Sequence, residues 1–288
     1  MSAAAARDAR IAIAHATVAA CDAGFYVRDD GARVELAPAI AAAKAGTRLY
    51  ERGVDVLPAA ANARAMAISV TDETVIAAVR RLAPTAGHLA CLNFASAKNP
   101  GGGFLTGAHA QEEAIARASA LYPCQLTQPA HYERNRAHRS GLYLDLAIWS
   151  PHVPVFRDDA GAWLAAPLPV SIITCAAPNA GAYRGDRVEA AGQGDRAAHD
   201  AQTEAEIAAV LDRRARFVLA IARHHAVDTL VLGAWGAGVF SNDPEVVARA
   251  FRDPLRQELA GAFAQVVFAV PGSVETSDNH RAFVAAFA

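Results

Sequence analysis

The sequence has 288 residues, 53% hydrophobic and 19% charged, with a formal net charge of -2. That composition excludes an intrinsically disordered chain, and the length suffices to bury a sizeable core in one large domain or two small ones. The near-neutral charge gives no general attraction to nucleic acid or to an anionic membrane.

Residues 3–20 favour helix by composition and place Ile11, Ile13 and Val18 on one side. Arg7, Asp8 and Arg10 interrupt the stretch before any sustained apolar run, so it lacks the order of a signal peptide. No run of about 18 apolar residues follows, and no transmembrane helix is expected. Residues 25–36 alternate on either side of Asp30 and Gly31, a hairpin signal, and residues 37–50 read as a helix. Residues 1–60 are therefore expected to form an N-terminal extension packed on a second unit, residues 61–288.

From residue 65 the pattern alternates. Strands are expected over 66–70, 88–94, 143–149, 170–176, 229–232 and 266–270. Helices are expected over 72–82 with Asp72 as cap, and over 111–122, 244–263 and 278–287. Residues 196–225 read as a long helical region with one break allowed. Strands separated by helices imply an α/β layered fold with a largely parallel sheet, whose ligands gather at the carboxyl ends of the strands. Residues 124–140 and 177–200 read as long irregular stretches, of the kind that carry function or move.

The most informative stretch is residues 92–117, LNFASAKNPGGGFLTGAHAQEEAIAR. Gly101, Gly102 and Gly103 follow an apolar run, and after seven further residues Gln111, Glu112 and Glu113 open a helical pattern. Three adjacent glycines give up much entropy on ordering, so the backbone there is expected to approach a ligand closely. Side chains of adjacent helical residues leave about 100° apart, so Glu112 and Glu113 are not expected to flank one bond as a symmetric pair. One carboxyl would face the ligand and the other would hold a sugar hydroxyl or the loop. First-turn acids are otherwise explained by the helix dipole, which lowers a carboxyl pKa. A general acid needs the pKa raised, by burial, a neighbouring carboxylate or a bound diphosphate.

A second glycine loop, GAWGAGVF over residues 233–240, lies between an apolar strand and a helix. Its N–H groups can converge on an anion, although it follows neither the Rossmann nor the Walker order. Trp235 and Phe240 read either as core or as the wall of an adenine or ribose pocket. His109, His131, His138, His152, His199, His224, His225 and His280 show no HExxH or paired ligand spacing, so no metal site is expected. Cys21, Cys91, Cys124 and Cys175 are widely spaced without a CxxC pair, and Cys91 and Cys175 sit in apolar runs. This fits a reducing compartment, and a cytoplasmic location is expected.

Gly101 to Gly103, the seven-residue gap and Gln111-Glu112-Glu113 resemble the GGG-x(6–8)-QEE motif of poly(ADP-ribose) glycohydrolases. NFASAKNPGGGFLTGAHAQEE, TCAAPNAGAYRG and GAWGAGVF resemble the microbial-type branch, and the resemblance spans roughly residues 10–275. It implies a macrodomain-like three-layer sandwich with an N-terminal extension. It also implies hydrolysis of ribose–ribose bonds without metal or cofactor. Glu113 would then be the general acid and later base, Glu112 would hold ribose hydroxyls, and Gln111 would support the loop. Gly101, Gly102 and Gly103 would admit the distal ribose beside Asn99. Gly233, Gly236, Ala237, Gly238 and Val239 would form the diphosphate loop, and Phe240 would shape the ribose pocket. The branch often carries Cys where Ala237 stands, a departure that leaves a backbone-built cradle intact.

The leading expectation is thus a poly(ADP-ribose) glycohydrolase. A hydrolase of other ADP-ribosyl linkages and a non-catalytic ADP-ribose-binding macrodomain are the alternatives. The intact Glu112-Glu113 pair argues against the last, because a reader needs no acid. Expected partners are poly(ADP-ribose), ADP-ribose and ADP-ribosylated proteins, with no membrane and no direct nucleic-acid contact. The expected setting is a monomer in ADP-ribosylation reversal and the DNA damage response.

Overall fold

A computed structural model describes residues 2–53, 65–190 and 196–288. The boundary expected near residue 60 lies outside them. Helix α1 (Ala3–Ala23) begins at Ser2, whose hydroxyl accepts the Ala5 N–H (3.2 Å), and ends at Gly24 in the left-handed region (φ 76°). Its buried line is Ala14, Thr17 and Ala20, whereas Ile11, Ile13 and Val18 flank it half-buried. Small residues on this line let α1 approach its neighbours closely. Strands β1 (Phe25–Val27) and β2 (Arg33–Glu35) form the expected hairpin, and α2 (Ala37–Gly46) follows. The helix expected through residue 50 stops early. Arg48–Glu51 is β3, because alternating Leu49 and Tyr50 suit an edge strand better than a helix.

Next come β4 (Ala67–Thr71) and α3 (Val75–Leu82). The cap of α3 is Thr74, whose hydroxyl accepts the Ala77 N–H (3.0 Å). Asp72 instead accepts the Gly272 N–H (2.6 Å). After β5 (Leu89–Phe94), the helix expected over 111–122 divides into α4 (Gln111–Ala118) and α5 (Leu121–Gln125). The break is at Ser119, whose extended backbone bridges to Val155. The stretch expected to be irregular contains α6 (Pro129–Ala137), started by proline in its first turn. Strands β6 (Leu146–Arg157) and β7 (Trp163–Cys175) form a hairpin far longer than their apolar centres suggested. A helix, α7 (Ala180–Ala190), occupies part of the second stretch read as irregular; residues 191–195 lie outside the described residues.

Helix α8 (Arg196–His224) runs without the allowed break, and β8 (Thr229–Leu232) follows. Helix α9 (Pro244–Arg256) stops short of residue 263, two residues after Pro254 removes an N–H from its last turn. Strand β9 (Gln265–Ala269) and α10 (Asp278–Phe287) complete the elements.

Seven strands form one sheet in the order β3-β6-β7-β5-β8-β9-β4. The β3-β6-β7 side is antiparallel, and β7-β5-β8-β9-β4 is parallel. Alternation along β5 separates two cores. Ala90 and Leu92 face the layer of α8, α9 and α10, while Leu89 and Cys91 face α2, α3, α4 and α5. The result is the expected three-layer α/β sandwich. Because Cys91 pairs with Val231, β5 and β8 end side by side, and both glycine loops leave the same edge of the sheet.

Candidate active site

Beyond Cys91, β5 has no partner on its β8 side among the described residues. The Gln111 amide supplies one: its Oε1 accepts the Phe94 N–H (2.8 Å), and its Nε2 donates to Leu92 O (2.7 Å). Gln111 therefore fixes the first turn of α4 to the end of β5. Two residues on, Glu113 joins the helix to the glycine loop. Its Oε2 accepts the Ala110 N–H (2.9 Å), half of a capping box, and its Oε1 accepts the Gly103 N–H (3.0 Å).

Glu112 turns inward. Its Oε1 accepts from Asn93 Nδ2 (3.1 Å) and Gln125 Nε2 (2.9 Å), and its Oε2 accepts the Ser96 N–H (2.6 Å). Burial pushes this carboxyl up to about 7; the Glu113 charge adds to the rise, and the three donors oppose it. Both glutamates are buried, at 3% and 8% exposure.

The two carboxyl groups meet over Gly102. A Cβ built there would fall on Glu113 Oε1 and lie 3.1 Å from Glu112 Oε2, and the residue's φ of 58° suits glycine. The side chains leave the helix in different directions, but their tips converge on the space a side chain would otherwise fill. Glycine is also required by packing at Gly101, against the Phe104 ring, and at Gly103, against Ala108.

In the second loop Gly236 has φ 76°, and a Cβ there would strike Ala177 and Asn242. Asn242 staples the turn, donating from Nδ2 to Pro178 O (2.8 Å) and Gly236 O (3.0 Å). The N–H groups of Gly236, Gly238, Val239 and Phe240 donate to no acceptor among the described residues, whereas the Ala237 N–H is spent on Ala234 O (3.1 Å). Such unspent amides in a turn form an anion cradle. Gly233 serves packing instead. A Cβ there would lie 2.6 Å from Ala269 O, so its absence permits close strand approach. Trp235 is wholly buried and donates to Cys175 O (2.9 Å), which makes it core rather than pocket wall.

Between the loops lies a cavity of about 980 Å³. Ser96, Lys98, Asn99, Gln111, Glu112 and Glu113 line one wall, and Gly236, Gly238, Val239 and Phe240 line another. Gly101, Gly102, Gly103, Gly233 and Ala237 are not among the cavity's lining residues. Among the described residues, no three His, Cys, Asp or Glu side chains converge to hold a metal ion.

Two supports escaped the sequence. Tyr143 lines the cavity with its ring 6.1 Å from that of Phe240, and its φ of 57° is unusual for a non-glycine residue. Wholly buried Arg214 holds it there, donating to Leu142 O (2.5 Å), Tyr143 O (2.9 Å) and Ala176 O (3.1 Å), and pairing with Asp145 (2.6 Å). Burial raises the Asp145 carboxyl, but Arg213 and Arg214 outweigh it and hold the group below its ordinary range. Nothing local in the sequence marks Arg214. The second support is α1, where Arg7 donates to Thr106 O (3.0 Å), Arg10 to Gly107 O (2.9 Å) and Thr17 to Arg117 O (2.7 Å). Polar residues at positions 7, 10 and 17, on the face that buries Ala14, were the available signal.

The catalytic-domain model of microbial-type PARG matches residues 14–158. Among solved structures, poly(ADP-ribose) glycohydrolase from Thermomonospora curvata is 45% identical, with a TM-score of 0.86, over 96% of this chain and 99% of that one. The same protein bound to the inhibitor ADP-HPD is 44% identical with a TM-score of 0.81, over 96% and 98%. The Deinococcus radiodurans poly(ADP-ribose) glycohydrolase in complex with ADP-ribose is 44% identical with a TM-score of 0.76, over 87% and 97%. No curated protein sequence matched the chain.

Proposed function

The chain belongs to the microbial-type poly(ADP-ribose) glycohydrolase family, and on that premise we propose that it binds ADP-ribose and hydrolyses the ribose–ribose O-glycosidic bonds of poly(ADP-ribose). The observation that carries this reading is the convergence of Glu113 Oε1 and Glu112 Oε2 over Gly102, facing a cavity with four unspent amides on another wall.

The diphosphate sits on the N–H groups of Gly236, Gly238, Val239 and Phe240, and Ala237 contributes the shape of the turn. Phe240, with Tyr143 beside it, flanks the adjoining ribose. The distal ribose lies over Gly102, and Asn99 forms part of its rim. Glu113 protonates the leaving ribose oxygen as positive charge builds at the anomeric carbon. The resulting carboxylate then takes a proton from the attacking water. Glu112 accepts a ribose hydroxyl through Oε2, and Gln111 acts at one remove by fixing α4 to β5. The grip of α1 on the loop before α4 supports treating residues 1–60 and 61–288 as one functional unit. ADP-ribosylated proteins would carry the polymer to it. A cytoplasmic place in the DNA damage response extends the proposal to cells, where loss of the chain would leave polymer behind after damage.

Incubation of the purified protein with poly(ADP-ribose) and with a mono-ADP-ribosylated protein, followed by measurement of free ADP-ribose, tests the reading. Release from the polymer is expected, and its absence overturns the assignment. Glu113→Gln should lower turnover by about 10²–10⁴-fold while ADP-ribose affinity, measured by calorimetry, stays within a few-fold. Undiminished turnover in that variant would remove Glu113 from the role of acid.

A further inference from the structure

Every hydrogen-bond partner of the Glu112 carboxyl among the described residues is a donor: Asn93 and Gln125 amides on Oε1, and the Ser96 N–H on Oε2. Yet the group is buried deeply enough to be pushed up to about 7, so both protonation states are populated near neutrality. Three donors favour the ionised state, whereas the acid form gains an O–H that needs an acceptor. An acceptor for the acid state is at hand. Asn93 and Gln125 are wholly buried, and their amide oxygens, Oδ1 and Oε1, have no hydrogen-bond partner among the described residues. A carboxamide carries oxygen and NH₂ at nearly equivalent positions, so half a turn of its last torsion exchanges donor for acceptor. Asn93 is tied by a second bond, from Nδ2 to Thr174 Oγ1 (3.2 Å). Among the described residues the Gln125 side chain has only its bond to Glu112, so no second bond opposes its turning.

We infer that Gln125 is a positioning residue for the proposed reaction. Its amide donates to Glu112 when that carboxyl is ionised and, turned over, accepts from it when it is protonated, so Oε2 keeps its place over Gly102 in both states. The inference rests on the glycohydrolase reading for its catalytic meaning. With it, Glu112 can hold a proton without leaving the ribose, so two carboxylates need not face each other once Glu113 has given up its own. The titratable groups facing Glu112 are Glu113 on its own helix and the buried Tyr132 phenol on α6. The phenol is raised by burial and by the Glu112 charge, and its hydroxyl has no partner among the described residues. From β5 and α5 come the neutral amides, and Thr174 of β7 stands behind Asn93.

The test is an NMR titration of the intact protein through neutrality, with carbon-13 at the glutamate carboxyl carbons and nitrogen-15 in the glutamine side chains. Glu112→Gln and Gln125→Met assign the two signals. In the wild type, the Glu112 carboxyl and the Gln125 NH₂ should titrate together, with a midpoint near pH 7. Gln125→Met removes a charge-assisted bond from the ionised form, so the Glu112 midpoint should rise by about one pH unit. The pH profile of kcat/KM on poly(ADP-ribose) should move with it. A Gln125 NH₂ signal that stays flat while Glu112 titrates overturns the inference, and so does an unmoved midpoint in Gln125→Met. If that variant does not fold, the joint titration of the wild type decides alone. A wild type that titrates as expected but releases no ADP-ribose defeats the glycohydrolase reading and leaves the amide exchange standing.

Discussion

At the scale of single residues, the site depends on an omitted side chain. Gly102→Ala would put a methyl group where Glu113 Oε1 and Glu112 Oε2 meet, on a backbone at φ 58°. The expected result is a stability loss of about 1–3 kcal/mol from the strained backbone, read by denaturant unfolding. Turnover of polymer should disappear while the fold persists. A variant that keeps wild-type turnover would show that the distal ribose lies elsewhere. The sequence made the acids and glycines legible because their spacing is specific. It did not reveal their convergence, because helical geometry gives the direction in which a side chain leaves and says nothing of where a three-carbon stem ends. Nor could it separate the roles of the second loop's residues. Trp235 became core and Gly233 a packing residue, and only tertiary neighbours distinguish these from Phe240 and Gly236.

At the scale of elements, α1 acts as a brace. Its Thr17 hydroxyl donates to Arg117 O (2.7 Å) and accepts from Arg157 Nε (3.0 Å), tying α1 to α4 and to β6. Thr17→Val keeps the volume and removes both bonds, leaving a buried carbonyl and a buried guanidinium nitrogen without this partner. A cost of about 1–3 kcal/mol is expected from urea unfolding. Polymer turnover should fall by more than ADP-ribose affinity, because the brace bears on the acid helix rather than on the diphosphate loop. Equal losses in both would indicate general destabilisation instead. Element boundaries were read least well where neighbours decide them. Edge strand β3 exists because β6 offers it a partner (Leu49 opposite Ile148), and α6 and α7 lack the apolar periodicity that announced α3 or α9.

At the scale of the whole molecule, the cavity draws its walls from distant parts of the chain, Arg10 of α1, Glu113 of α4, Phe240 after β8 and Asn279 of α10 among them. Ligand binding should therefore stabilise all the layers together. With ADP-ribose at about 100 times its Kd, unfolding free energy should rise by about 2.7 kcal/mol in a single shifted transition, as followed by both tryptophan fluorescence and far-ultraviolet circular dichroism. Two separated transitions would mean that the N-terminal elements and the sheet respond as independent bodies.

The strand order also governs how the protein is born. Residues 67–71 of β4 leave the ribosome early, but their place is beside β9, made nearly two hundred residues later (Ala67 opposite Gln265). Until β9 emerges, β4 has no neighbour in the sheet, and the diphosphate loop after β8 has an open flank. A pairing so remote in sequence is slow to close and exposes a strand edge while it waits. The glutamates are made long before β9, but the cavity they serve is walled only when that last strand takes its place between its two older neighbours.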